Sequence, residues 1–369
     1  MSNVFPKYIC CLILSVFILV ACQDTNINQA NTVQSTNTQS QTPSASTATG
    51  HFQEYPLPQT NSGLMRPAID HAGRLWFGEM GHNYLATFDP HTHMFQQRIP
   101  PYGLSGIMGI VVASDDTIWF AEQYANYIGH YFPTTNTYQT YSLPTLTIPD
   151  PSNTSKTLSL TSAPNDLAID ASGNIWFTEL NADSIGKLDS HTGRIHIYPL
   201  SNTRSVQKLD PYGITVDPQG MVWFTQATND QIGRLDPRTG KITFFTLPGP
   251  STQLMEIASD THGTLWATSF NSNLLVRFNP QTSTFTSYTA PASGNRTGGI
   301  YGLTISPSGE VWVTVSAENS LARLDAAHKQ FIYYPIPTKD SLPLGLVMGT
   351  EHTLWFTEAG TDKIGMLKA

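Results

Sequence analysis

The stretch Pro211-Tyr-Gly-Ile-Thr-Val-Asp-Pro-Gln-Gly-Met-Val-Trp-Phe-Thr-Gln226 is followed by Asn229-Asp-Gln-Ile-Gly-Arg-Leu-Asp-Pro-Arg-Thr-Gly240 and Lys241-Ile-Thr-Phe-Phe-Thr-Leu-Pro248. It reads as four short strands separated by Gly, Pro, Asn and Asp. Those residues supply positive-φ positions and interrupt ladder hydrogen bonds. The unit recurs. All seven tryptophans, Trp76, Trp119, Trp176, Trp223, Trp266, Trp312 and Trp355, fall in its second strand, 43, 57, 47, 43, 46 and 43 residues apart. Seven copies of a unit this size predict an all-β, seven-bladed propeller.

The turns repeat with the strands. Gly precedes Trp by three residues at Gly73, Gly173, Gly220, Gly263 and Gly309. Seven residues after Trp stand Asn83, Asn126, Asp183, Asp230, Asn273, Asn319 and Asp362, all residues that tolerate left-handed backbone. Two residues later an aliphatic side chain always follows, from Leu85 to Ile364, and is expected to pack between blades. Copy seven stops at its third strand, Lys363-Ile-Gly-Met-Leu-Lys-Ala369. Its missing fourth strand stands ahead of copy one, as His51-Phe-Gln-Glu-Tyr-Pro-Leu-Pro58, so strand 51–58 is expected to complete the last blade and close the ring.

Residues 1–21 read as a secretory signal: Lys7, an apolar run Ile9 to Val20, then Leu19-Val20-Ala21-Cys22, which resembles a bacterial lipoprotein box. Cys22 would be the lipidated N-terminus. A plain signal peptide or a single anchor is the alternative, although the run is shorter than the roughly 20 residues of a membrane span. Residues 22–50 are Ser, Thr, Asn, Gln and Ala with little else, a composition that predicts a disordered tether. The three cysteines are Cys10, Cys11 and Cys22, which leaves no disulfide and no thiolate metal site in 51–369. That segment is one domain, because a ring cannot be subdivided. The reading is thus an extracytoplasmic, monomeric lipoprotein. A net charge of −8 with no basic stripe argues against a nucleic-acid partner.

In a propeller the first strand of each blade lines the channel. Its start, the end of the second strand and the blade-to-blade linkers share one face, here called the top. Eleven residues before Trp come Met65, Met108, Asn165, Tyr212, Met255, Tyr301 and Leu344, which suit an amphipathic ligand at the top mouth. Three residues after Trp come Glu79, Glu122, Glu179, Gln226, Ser269, Val315 and Glu358. Four carboxylates on one side of the mouth could hold a divalent cation, or one could be held protonated as a general acid. A Glu that recurs in four blades also fits a purely structural role. The longest insertion, around Thr145 to Ser162, and a shorter one, Ser201 to Leu209, are expected as loops on the same face.

The Tyr-Gly-Ile-Thr, Trp-Phe-Thr-Glu and Ile-Gly-Arg-Leu elements resemble the virginiamycin B lyase (streptogramin B lyase) family over roughly residues 51–369. The resemblance implies a seven-bladed propeller that opens an ester-linked antibiotic ring by elimination, with Mg²⁺, two histidines and glutamates at the top mouth. In such chemistry the metal polarises the ester and a base takes the adjacent proton. The family's histidine positions fall here on Tyr301 and Leu344, one glutamate on Leu342 and the other near Glu358. Three of the four positions are therefore changed. Of the eleven histidines only His82 is placed on the top face.

Two functions remain open. One is a binding propeller that takes a small molecule, glycan or peptide at the top mouth. The other is a diverged Mg²⁺-dependent lyase or hydrolase, with Glu358, Glu79, Glu122 and Glu179 around the metal and Tyr301, Tyr212 or His82 moving the proton.

Overall fold

The computed structural model describes residues 32–33, 45–150, 153–200, 208–249, 252–291 and 299–368. The proposed signal 1–21, Cys22 and most of the second insertion lie outside them. Seven four-stranded antiparallel sheets stand around a channel. Blade one is Leu64–Ile69, Leu75–Glu79, Tyr84–Asp89 and Met94–Arg98. The innermost strands of the others are Ile107–Val112, Pro164–Ile169, Pro211–Val216, Leu254–Ser259, Ile300–Ile305 and Pro343–Met348. Blade seven takes its outer strand from the N-terminal side. His51–Pro56 pairs antiparallel with Lys363–Lys368, His51 opposite Lys368 and Pro56 opposite Lys363, so the predicted clasp is present. Glu54 fastens it, accepting from Lys363 Nζ (3.0 Å) and from the Thr338 amide (3.1 Å) of the preceding linker.

The core lies between blades. All seven tryptophans are at most 6% exposed, and burying a side chain of this size stabilises by roughly 2–3 kcal/mol. Trp76 and Leu85 of blade one pack on Ile107, Phe120 and Tyr131 of blade two, and Trp355 and Ile364 of blade seven pack on Leu64 and Phe88 of blade one. The aliphatic residue nine after Trp is fully buried in every blade. Three indole N–H groups donate to an Asp of the first turn, Trp76 to Asp70 (2.9 Å), Trp176 to Asp170 (2.9 Å) and Trp223 to Asp217 (2.7 Å).

Two side chains per blade join it to the next. The second-turn Asn or Asp is left-handed in all seven copies, with φ between 47° and 64°. Its carboxyl or amide oxygen accepts amide N–H groups of the following linker. Asn126 takes Ser162 (2.8 Å) and Ala163 (3.3 Å), Asp183 takes Leu209 (2.8 Å), and Asp362 takes Asn61 and Ser62 (both 2.8 Å) across the ring closure. The Thr two residues after Trp is the second. Thr225 Oγ1 accepts Gly213 N–H of its own inner strand (2.9 Å) and donates to Met255 O of the next blade (2.5 Å). Thr178, Thr268, Thr314 and Thr357 repeat the bridge; Gly78 and Ala121 replace Thr in blades one and two.

Two expectations are corrected. The tether is not wholly without structure, since Ala45–Thr47 adds as a parallel strand to the outer edge of blade six and Thr32–Val33 does so on blade four. Short Ser/Thr-containing segments pair readily with an open strand edge. The insertion between blades two and three is not an open loop. Leu146–Asp150 and Asn153–Leu160 form a two-stranded ribbon.

Asn126 tests the junction. Asn126→Ala strands buried linker amides and leaves a β-carbon in left-handed backbone, so it should cost about 2–4 kcal/mol in urea unfolding. Asn126→Gly should recover about 1 kcal/mol of that, because only the hydrogen bonds are then missing. Equal losses in the two variants would mean that backbone conformation plays no part.

Candidate functional site

The centre of the channel is set by a register slip. In every blade the pairing of the first two strands shifts after the first residue: Leu64 lies opposite Glu79, but Pro67 opposite Phe77. One extra residue is thereby inserted, a β-bulge. The bulged residue, ten before Trp, is Arg66, Gly109, Asp166, Gly213, Glu256, Gly302 and Gly345 in turn. Three charges alternate with glycines, and each charge follows a blade with Gly. A Cβ on Gly109 would meet Asp166, on Gly213 the Glu256 backbone, and on Gly345 the Arg66 backbone, all within 3.1 Å.

These charges meet. Arg66 Nε lies 2.7 and 2.8 Å from the two Glu256 oxygens, and Arg66 Nη2 also contacts Glu256. Asp166 stands 3.6 Å from Arg66 Nη1 and accepts the Ile214 amide at 3.1 Å. All three are at most 9% exposed. The Arg66 guanidinium lies 5.3 Å from the Tyr212 ring centroid, and Tyr212 and Tyr301 share a hydroxyl hydrogen bond of 2.7 Å. Burial raises the Asp166 carboxyl, and pushes Glu256 up to about 7 against the pull of Arg66. Burial also pushes the Tyr212 phenol up to about 12 and lifts Tyr301 well above its usual value. Both phenols are held neutral, which removes Tyr301 and Tyr212 as bases. Position ten before Trp carried the signal for this cluster: it is charged in blades one, three and five and glycine in the other four.

The mouth expected to receive a ligand is filled. Met65, Met108, Met255, Tyr212 and Tyr301 are buried against one another with Met80 and Ala227, and Leu344 packs on them. Asn165 is fully buried, its amide donating to Tyr212 O (3.0 Å). The channel instead has a cavity of about 370 Å³ towards its bottom end, lined by Pro67, Ile69, Ile110, Val112, Ile169 and Val347 among others.

The four glutamates after Trp do not gather. Trp and the Thr two residues on face the following blade, so by the alternation of a strand the Glu faces the preceding one. Each is at most 1% exposed in its own junction. Glu79 accepts from Gln97 (2.7 Å), Glu179 from Ser184 (2.5 Å) and Glu358 from Thr361 (3.0 Å), while neither Glu122 oxygen has a hydrogen-bond partner among the described residues. Burial raises all four, Glu122 and Glu358 to about 7. His82 Nε2 is engaged by Thr60 O at 2.8 Å. No described hydrogen bond joins His82, Tyr301 and Glu358.

The Mg²⁺ that the family resemblance implies does not fit these donors. Among the described residues no three His, Cys, Asp or Glu side chains are placed to share a metal ion. The two carboxylates that do face each other, Asp166 and Glu256, are already bridged by a guanidinium.

What the top face does expose is aromatic. Tyr102 and Leu104 of the blade one–two linker, with Tyr124 of the next turn, are exposed at 39, 73 and 50%. Tyr102 stacks on Tyr127 at 4.2 Å and 7°. Residues 99–106 and 123–127 carry no charge, and the linker that carries the paired strands Leu146–Asp150 and Asn153–Leu160 leaves blade two on the same face.

Comparison with known proteins bears on this site. The model of the virginiamycin B lyase family matches residues 147–300. A streptogramin B lyase structure is 27% identical, with a TM-score of 0.75, covering 86% of this chain and 97% of that one. Virginiamycin B lyase from Staphylococcus aureus is 26% identical, with a TM-score of 0.75, covering 87% and 99%. A catalytically inactive His-to-Ala variant of that lyase, with quinupristin, matches equally well. The extracellular domain named as that of a hybrid two component system from B. thetaiotaomicron is 17% identical, with a TM-score of 0.63 over 84% of this chain and 40% of that one, and shares the fold. No curated protein matches the sequence.

Glu122 gives a measurable consequence. Its folded pKa of about 7 exceeds the ordinary 4.5, so the folded state holds the extra proton between those values. Stability therefore falls as pH rises from 4.5 to 7. Glu122→Gln should match the wild type near pH 4 and exceed it by about 2–3 kcal/mol at pH 8. A wild-type advantage at pH 8 would mean that an unseen cation or donor neutralises this carboxylate.

Proposed function

We propose that this chain, a seven-bladed propeller similar to the virginiamycin B lyases, is a binding propeller. In this reading it sits outside the cytoplasm, is held to a membrane through lipid on Cys22, and takes a neutral glycan on its top face. The observation that carries it is the uncharged aromatic surface at Tyr102, Leu104 and Tyr124. Sugar rings offer an apolar C–H face to a tyrosine and hydroxyls around it, and they bring no charge that must be desolvated. A charged peptide would find no counter-charge on such a surface. The closed mouth supports a ligand held on the face rather than in the channel.

The described residues weigh against the lyase reading. Leu344 can neither ligate nor take a proton, and Tyr301 is a neutral phenol bonded to Tyr212. Glu358 lies in the blade seven junction, beside Thr361.

The full chain, solubilised in detergent, should bind members of a neutral oligosaccharide array equally well in Mg²⁺ and in EDTA. Tyr102→Ala and Tyr124→Ala should each weaken the binding by roughly tenfold. A streptogramin B substrate should remain closed by mass spectrometry. Ring opening that needs Mg²⁺ and is lost in Glu358→Ala would replace the binding reading with the lyase.

A further inference from the structure

We propose that Arg66 is a resident cation, its guanidinium filling the place between Asp166 and Glu256 that a divalent ion would otherwise take at the centre of the channel.

Three observations support this. The charges come from blades one, three and five, far apart in sequence, and each uses the space left by a glycine in the blade before it. A local turn motif does not produce such a set. The guanidinium is also engaged with both carboxylates, in two directions at once. Arg66 Nε and Nη2 face Glu256, and Nη1 faces Asp166. A planar, permanently charged fork suits that bridging role, where a lysine would reach one partner at a time. The third observation is charge balance. Two carboxylates need two positive charges, and one guanidinium supplies one. With both ionised the cluster is left one positive charge short; burial first, and then Asp166 beside it, push Glu256 up to about 7 against the pull of Arg66. The neutral hydroxyls of Tyr212 and Tyr301, the other polar groups facing it, supply dipoles and no charge. A dication would close the balance and needs oxygen donors of this kind. The inference is independent of the glycan reading, which concerns a different surface.

The test uses the full chain in detergent and Mn²⁺ alone as probe. Wild type should bind no Mn²⁺ by electron paramagnetic resonance, and its Tm should be the same in Mn²⁺ and in EDTA. Arg66→Met should have a lowered Tm, take up one equivalent of Mn²⁺ and regain part of the Tm. Adding Glu256→Gln to it should abolish the uptake. If Arg66→Met does not fold in EDTA, refolding that succeeds in Mn²⁺ supports the proposal, and failure in both overturns it. The proposal is also overturned by wild-type Mn²⁺ binding that Glu256→Gln removes. A folded Arg66→Met chain indifferent to Mn²⁺ does the same.

Discussion

Each blade hands its successor a left-handed Asn or Asp and, from blade three onward, a Thr that hydrogen-bonds to both inner strands at once. A four-stranded sheet of this size cannot bury either of its faces alone, so every hydrophobic contact in the core presupposes a correctly set neighbour. The two side chains set it. The Asn or Asp oxygen fixes where the linker begins its descent into the channel, and the Thr hydroxyl fixes how deep the next inner strand sits. From blade three onward both act together; in blades one and two, where Gly78 and Ala121 replace Thr, the Asn alone sets the neighbour that Trp and the aliphatic residue nine positions later meet. The ring then closes by the same rule, Asp362 reaching Asn61 and Ser62 across the chain termini.

Much of this was legible. Trp spacing gave the blade count, the left-handed turn residues gave the second turn, and the truncated seventh copy gave the clasp. Those features repeat, and repetition is what a single sequence displays best. The site was less legible for two geometric reasons. Strict alternation allows only one of two adjacent inner-strand residues to reach the channel, which favours Met65 and Tyr212 over Arg66, Asp166 and Glu256. The bulge breaks that alternation. The glutamates after Trp were placed at the right height but facing the wrong way. Their parity with Trp turns them into the junction, and the Thr beside them already showed which side faces onward.

Burial, more than proximity to other charges, sets the raised carboxylates of this propeller. Among the described residues Glu122 has no hydrogen-bond partner and Glu358 a single hydroxyl, and both are raised to about 7. Asp166 and Glu256 are raised beside a guanidinium. Raised acids in a pocket commonly mark acid–base chemistry. Here the glutamates after Trp are sealed between blades and the channel pair is covered by packed Met and Tyr side chains, so the same shifts arise without access for a substrate.

The N-terminal segment pairs with the outer edge of blade four, then with that of blade six, and then completes blade seven. A pull arriving through that segment would first meet Thr32–Val33, two residues long, then Ala45–Thr47, three residues long, and only then His51–Pro56, six residues long, loaded along its axis. A short ladder yields before a long one, and a ladder loaded along its axis resists more than one peeled from its end. The chain therefore carries weak mechanical links in series ahead of a strong one. Shear on the propeller would release slack from residues 45–50 before it threatened the ring.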